Sequence, residues 1–166
     1  MDKLDNMIRK VKLSDAEDIV AIYNDYITTT TISFEIATLS VEEMRQRISV
    51  LVAEFPYYVY EENGHVVGFC YAHKWKDRAA YDKTLETTIY LSPNNCHRGI
   101  GMELMKVLIS DCRKMNVNVL IACITYGNEA SIKFHERLGF EQASHFKQVG
   151  MKFGHTLDVV DYQLIL

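Results

Sequence analysis

The sequence predicts an α/β fold (α+β in its ordering), with a mixed central β-sheet and helices on both faces. Three observations predict it. Asn63-Gly64, the residue pair a two-residue hairpin turn favours, separates the strand-like runs Tyr57–Glu62 and His65–Trp75. Leu85–Leu91, the loop Ser92–His97 and an amphipathic run from Gly99 to Met115 read as strand, turn and helix. Val117–Thr125 then reads as a buried strand. A hairpin makes antiparallel neighbours and a strand-helix-strand crossover makes parallel ones, so a chain with both needs a mixed sheet covered by helices.

Taken in order, Met7–Leu13 alternates and reads as the first strand. Ser14-Asp15-Ala16-Glu17 has the form of a capping box. It starts a helix carrying Ile19, Val20, Ile22, Tyr23 and Tyr26 on one broad face, ended by the β-branched run Thr28–Thr31. Ile32-Ser33-Phe34 lies in a loop or short extended piece. Ser40-Val41-Glu42-Glu43 is a second capping box, opening a helix to about Glu54 that Pro56 stops. After the hairpin come a polar loop, Lys76–Lys83, and the central strand and helix, whose apolar positions Ile100, Leu104, Val107, Leu108 and Met115 fall near helical spacing. Asn128–Leu138 is a helix closed by Gly139, and strands at about Glu141–Gly150 and Val159–Leu166 finish the chain.

A length of 166 residues suits one domain with its own core, so 1–166 is read as a single domain. A net charge of −4 without a basic run argues against nucleic acid as a partner. No apolar stretch approaches a membrane span, and the start MDKLDNM lacks the form of a signal peptide. Cys70, Cys96, Cys112 and Cys123 are widely spaced, with no CxxC pair and no HExxH among the histidines. Free thiols in a reducing cytoplasm are therefore expected, rather than a disulfide framework or a metal site. His97 beside Cys96 has no further ligand residues close by, which also argues against metal.

A strand that feeds a glycine turn and a helix N-terminus is a phosphate-binding arrangement. The first helical turn leaves N–H groups without partners, the macrodipole is positive there, and glycine lets a ligand approach the backbone. A Walker A loop is excluded, because no GxxxxGK[ST] run occurs. A dinucleotide fingerprint wants a glycine where Leu104 stands and an acidic residue where Val119-Leu120-Ile121 stands. Coenzyme A is the remaining reading.

Cys96-His97-Arg98-Gly99-Ile100-Gly101 resembles the Q/R-x-x-G-x-G/A motif of the GNAT superfamily of N-acetyltransferases. The element order β, α, α, β, β, β, α, β, α, β, β matches the GNAT fold over nearly the whole chain. Asn128–Phe140 looks like the second GNAT signature, with His135 where most members carry tyrosine. His135, Thr84–Tyr90 with Glu86, Trp75–Tyr81 (similar to W-K-x-R-x-A-Y) and Thr31–Phe34 (similar to T-V-x-F) together resemble the phosphinothricin N-acetyltransferase family.

The resemblance implies an acetyl-CoA-dependent acyltransferase without metal, commonly a homodimer. It places the cofactor on Cys96, His97, Arg98, Gly99, Ile100, Gly101 and Met102, and along Asn128 and Ser131. It implies that the Leu91 N–H holds the thioester oxygen and that Glu86 is the general base. His135 has the intrinsic pKa to assist deprotonation or to protonate the leaving thiolate. Phe34, Lys76, Arg78 and Tyr81 are the expected acceptor-side residues, the cations suiting a carboxylate or phosphinate. The expected acceptor is a small amino-acid-like amine of the phosphinothricin, methionine sulfoximine or methionine sulfone type. A protein or peptide N-terminus and a non-catalytic coenzyme A-binding domain are the alternatives. Two positions depart from the family pattern: Cys96 replaces the usual glutamine or arginine, and Thr156 replaces the tryptophan of G-x-W-x-D-V.

Overall fold

A computed structural model describes residues 7–166. The first six residues of the stretch read as lacking a signal peptide lie outside it. The elements are β1 (Met7–Lys10), α1 (Ala16–Thr29), α2 (Val41–Val52), β2 (Tyr57–Glu62), β3 (His65–Lys74), β4 (Thr84–Leu91), α3 (Ile100–Lys114), β5 (Val119–Thr125), α4 (Glu129–Arg137), β6 (Glu141–Lys152) and β7 (His155–Ile165). They follow the expected order. One seven-stranded sheet runs β1-β2-β3-β4-β5-β7-β6, with only β4 and β5 parallel.

Strand alternation sends side chains to two cores. Tyr58, Cys70, Leu85 and Leu120 pack with Leu104, Met105 and Leu108 of α3 and Ile132 of α4. Tyr57, Val59 and Phe69 face the other way, onto Ile19 and Val20 of α1 and Met44 and Ile48 of α2. No described helix is long and apolar enough to cross a membrane.

Several boundaries differ from expectation. Ser14 does not cap α1; residues Leu13–Asp15 form a 3-10 turn. The Asp15 carboxylate instead accepts from Arg9 at 2.8 and 2.9 Å and from the Lys12 N–H at 2.7 Å, and these bonds end β1 early. The second capping box is present: Ser40 Oγ accepts from the Glu43 N–H at 3.2 Å, and Glu43 Oε2 accepts from the Ser40 N–H at 2.7 Å. The last two strands are longer than expected and meet at Phe153-Gly154, both at positive φ. Thr156 therefore lies at the exposed tip of this hairpin, opposite Met151.

The register of β4 creates the site. It pairs with β5 only through Thr84↔Val119, Leu85↔Leu120 and Glu86↔Ile121. Both strands continue beyond that point, to Leu91 and Thr125, but no longer pair. The sheet thus opens at its middle, immediately after Glu86.

Candidate active site

A cleft of about 480 Å³ fills this opening. Its walls are Thr87–Tyr90 of β4, Ala122–Thr125 of β5, Tyr71 and His73 of β3, and Asn128, Ser131 and His135 from the start of α4 onward. Tyr23 and the segment Ile32-Ser33-Phe34-Glu35 complete the lining. Glu86 stands where the strands part, its side chain 28% exposed. Burial raises its pKa above the usual carboxylate value; His73 opposes the rise and Asp161 adds to it.

His135 is 4% exposed, between the edges of Phe134 and Phe140. Its Nδ1 lies 2.8 Å from the Ser131 carbonyl oxygen. A carbonyl only accepts, so Nδ1 carries the hydrogen and Nε2 keeps its lone pair. Burial lowers the imidazole pKa, and the bond to Ser131 opposes that in part. Ser131 Oγ is also within 3.3 Å of Nδ1. Asn128 Oδ1 caps α4 by accepting from the Ser131 N–H at 3.3 Å, and its NH₂ has no partner among the described residues.

At the other end of β4, the Ser92 N–H donates to Val67 at 2.8 Å. In an antiparallel ladder the paired groups alternate, so the N–H and C=O of Leu91, opposite Gly68, turn away from β3. The Leu91 carbonyl accepts the Tyr26 hydroxyl at 2.7 Å.

The glycine turn has the expected form. Gly99 caps α3 at φ +84° with open space where a side chain would project. The first bond between helix turns is Glu103 N–H to Gly99 at 3.2 Å, so the N–H groups of Ile100, Gly101 and Met102 precede the helical ladder and suit an anion. Gly101 serves a purpose not expected from sequence. It is buried, and a Cβ there would lie 3.3 Å from the Phe134 ring, so its missing side chain lets α3 approach α4. Arg98 is held by Glu62 at 2.6 and 3.0 Å, Asn95 donates to the same carboxylate at 3.0 Å, and Cys96 Sγ lies 3.7 Å from the Ser92 carbonyl. His97 takes a positive φ of 62° in the same loop.

Phe34 reaches the cleft, but Lys76, Arg78 and Tyr81 do not line it. Lys76 Nζ sits 4.2 Å from the Trp75 ring centroid and 5.4 Å from that of Tyr81, whose ring meets Trp75 edge-on at 5.2 Å. Arg78 precedes the short turn Ala79–Tyr81. Within one chain, the packing of Trp75 gathers this loop on itself. Sequence reasoning missed Tyr71 and His73, which face the cleft because β3 places them opposite Thr88 and Glu86. It also missed Cys123 and Thr125 on the facing strand.

A central sheet parted beside a half-buried carboxylate, with β4 leading through a loop into an anion-ready helix start, suits acyl transfer. The family profile described as "Acetyltransferase (GNAT) domain" matches residues 8–160, and the chain belongs to that family. It is 39% identical over 155 residues to the phosphinothricin N-acetyltransferase of Alcaligenes faecalis, covering 92% of this chain and 79% of the relative. It is 32% identical over 167 residues to the L-methionine sulfoximine/L-methionine sulfone acetyltransferase of Pseudomonas aeruginosa, covering 96% and 94%. Among solved structures, a phosphinothricin acetyltransferase from Sinorhizobium meliloti in complex with AcCoA superposes with TM-score 0.93 at 32% identity, covering 97% and 88%. A ribosomal-protein-alanine N-acetyltransferase from Brucella melitensis superposes with TM-score 0.94 at 35% identity, covering 96% and 99%.

Proposed function

We propose that this chain transfers acetyl from acetyl-CoA to the α-amine of a small amino-acid-like acceptor of the phosphinothricin, methionine sulfoximine or methionine sulfone type. The observation that carries the reading is the position of Glu86, a half-buried carboxylate of raised pKa where β4 and β5 part. The names of the phosphinothricin and methionine sulfoximine relatives support the acceptor class. The free N–H groups of Ile100, Gly101 and Met102 fit a pyrophosphate, and the unpartnered Asn128 amide fits the cofactor arm beside Ser131. When bound, acetyl-CoA supplies the activated acyl group.

Amino acids present ammonium at neutral pH, so the base must act first. Glu86 takes one proton, and the freed amine attacks the thioester carbonyl. The Leu91 N–H, turned toward the opening, receives the developing oxyanion. His135, held neutral with Nε2 free, accepts a hydrogen bond from the amine and aligns it. A neutral Nδ1–H ring has no proton on Nε2 to give, so of the two roles expected for His135, assistance to deprotonation fits. The nitrogen of the adduct passes its second proton to the departing thiolate, leaving amide and thiol.

The first test is thiol release from acetyl-CoA with methionine sulfoximine, methionine sulfone and a peptide amine as acceptors. Saturable turnover of the amino-acid analogues is expected. In Glu86→Gln, kcat should fall about 10²- to 10⁴-fold with acetyl-CoA affinity kept. Full activity in that variant would remove Glu86 from the mechanism. Preference for the peptide would favour the protein-acceptor reading, which the ribosomal-protein-alanine relative supports. Four free cysteines agree with a reducing cytoplasm. The exposed Phe146, Val149 and Met151 on β6 and Phe153 in the following turn agree with a homodimer, which light scattering would test.

A further inference from the structure

The reaction proposed above releases one proton per turnover, and the inference rests on that reading. The proton begins on Glu86, where β4 and β5 part, and must leave before the next acceptor can be deprotonated. The cross-strand partner of Glu86 is His73, whose Nε2 lies 3.7 Å from Glu86 Oε1. His73 Nδ1 lies 3.0 Å from the Lys74 carbonyl oxygen. That bond requires hydrogen on Nδ1, so the neutral ring offers the lone pair of Nε2 to the Glu86 side.

A second cavity, of about 540 Å³, opens along α2 beside the cleft. Tyr71 and His73 line both spaces. Tyr71 is a phenol whose pKa burial pushes up to about 12, so it stays protonated. Of the two, only the His73 imidazole has a ring lone pair that can take up a proton and pass one on. We propose that His73 drains the proton from Glu86 into the α2 groove at each turnover.

The balance is simple. The O–H bond on Glu86 breaks as an N–H bond forms at Nε2, regenerating the carboxylate. The imidazolium then loses one proton to groove water. A gap of 3.7 Å exceeds a hydrogen bond, so a small rotation of Glu86 or one bridging water completes the path. The other charges near His73 are already engaged. Arg47 of α2 pairs with Glu35 at 2.6 Å, Glu43 of α2 caps its helix through Ser40, and Lys74 pairs with Asp82 at 3.5 Å. Asp161 of β7 acts on Glu86 from the opposite side. His73 thus meets Glu86 as its closest charge partner.

The test compares wild type with His73→Gln, which keeps a polar side chain but cannot carry the charge. In acetyl-CoA-free protein, carboxyl NMR should show the Glu86 titration midpoint moving up by about half a unit in the variant. The sign follows because the imidazolium favours the carboxylate. With a working acceptor, turnover of the variant should drop about tenfold at about pH 7.5 and recover with added imidazole, to which wild type is indifferent. An unchanged Glu86 titration, or a loss that imidazole does not relieve, would overturn the relay. If no acceptor turns over with wild type, the function reading fails, and the titration still decides whether His73 and Glu86 are coupled.

Discussion

The ammonium of Lys152 donates to the backbone carbonyl of Ser33 at 2.6 Å, and neither residue is more than 3% exposed. The bond ties the end of β6 to the segment Ile32–Glu35 that walls the cleft. Thr125 Oγ1 holds the same segment through the Thr31 carbonyl at 2.8 Å. Burial lowers the Lys152 pKa and Glu35 opposes this; no carboxylate among the described residues forms an ion pair with it. Lys152→Met keeps the stem and removes the donor, leaving a buried carbonyl unpaired. The expected cost is about 1–2 kcal/mol in stability, read by urea unfolding. Acceptor KM should rise about tenfold through loss of positioning, with acetyl-CoA affinity unchanged in a binding titration.

Gly150 on β6 is where the Phe34 ring rests, and a Cβ there would collide with it. Gly150→Ala should therefore swing Phe34 out of its place in the cleft wall. Phe34→Ala alone should weaken acceptor binding, and the two changes together should be little worse than either. A double-mutant cycle on acceptor kcat/KM is expected to show coupling of about 1 kcal/mol or more, whereas additive effects would mean that the ring position is irrelevant.

His135 carries a pH signature. Its pKa in the folded state is lowered, chiefly by burial, so folding favours the neutral ring. Its contribution to stability is complete above the unfolded value of about 6.5 and is lost as pH falls through that value toward the folded one. The melting temperature should decline below about pH 6.5, and His135→Gln should flatten that part of the curve. Nitrogen NMR at pH 7.5 should show hydrogen on Nδ1 only.

Much of this was legible locally. The Asn63-Gly64 turn, the Ser40 capping box, the Gly99 turn and the start of α4 beside Asn128 rest on contacts within a few residues, and each lies where the sequence puts it. The misses have other causes. Ser14 lies inside the 3-10 turn Leu13–Asp15, and Asp15 is taken up by Arg9 and the Lys12 N–H. The β6–β7 turn uses Phe153 at φ +52°, a residue type that gives no turn signal. Lys76, Arg78 and Tyr81 have the chemistry for an anion, but the packing of Trp75 and Tyr81 decides where their loop goes. His73 could be found only by knowing the β3–β4 register, which no short-range pattern encodes.

Arg9 joins three parts of the fold. Its guanidinium meets Asp15 at 2.8 Å and Glu61 of β2 at 2.6 Å, and Asp15 is 7% exposed. Burial alone would raise the Asp15 pKa, but Arg9 and the Lys12 N–H outweigh it and hold it below the usual value. The resulting stability is full above the unfolded carboxyl pKa of about 3.9 and is lost as pH falls through the lower folded value. Asp15→Asn keeps the shape and removes the charge, at an expected cost of about 2 kcal/mol at pH 7. Urea unfolding of wild type and variant should show that difference at pH 7 and a shrinking one as the pH is taken below 4. A gap that persists undiminished in acid would mean that Asp15 contributes through packing and hydrogen bonds that survive protonation, and not through its charge on Arg9.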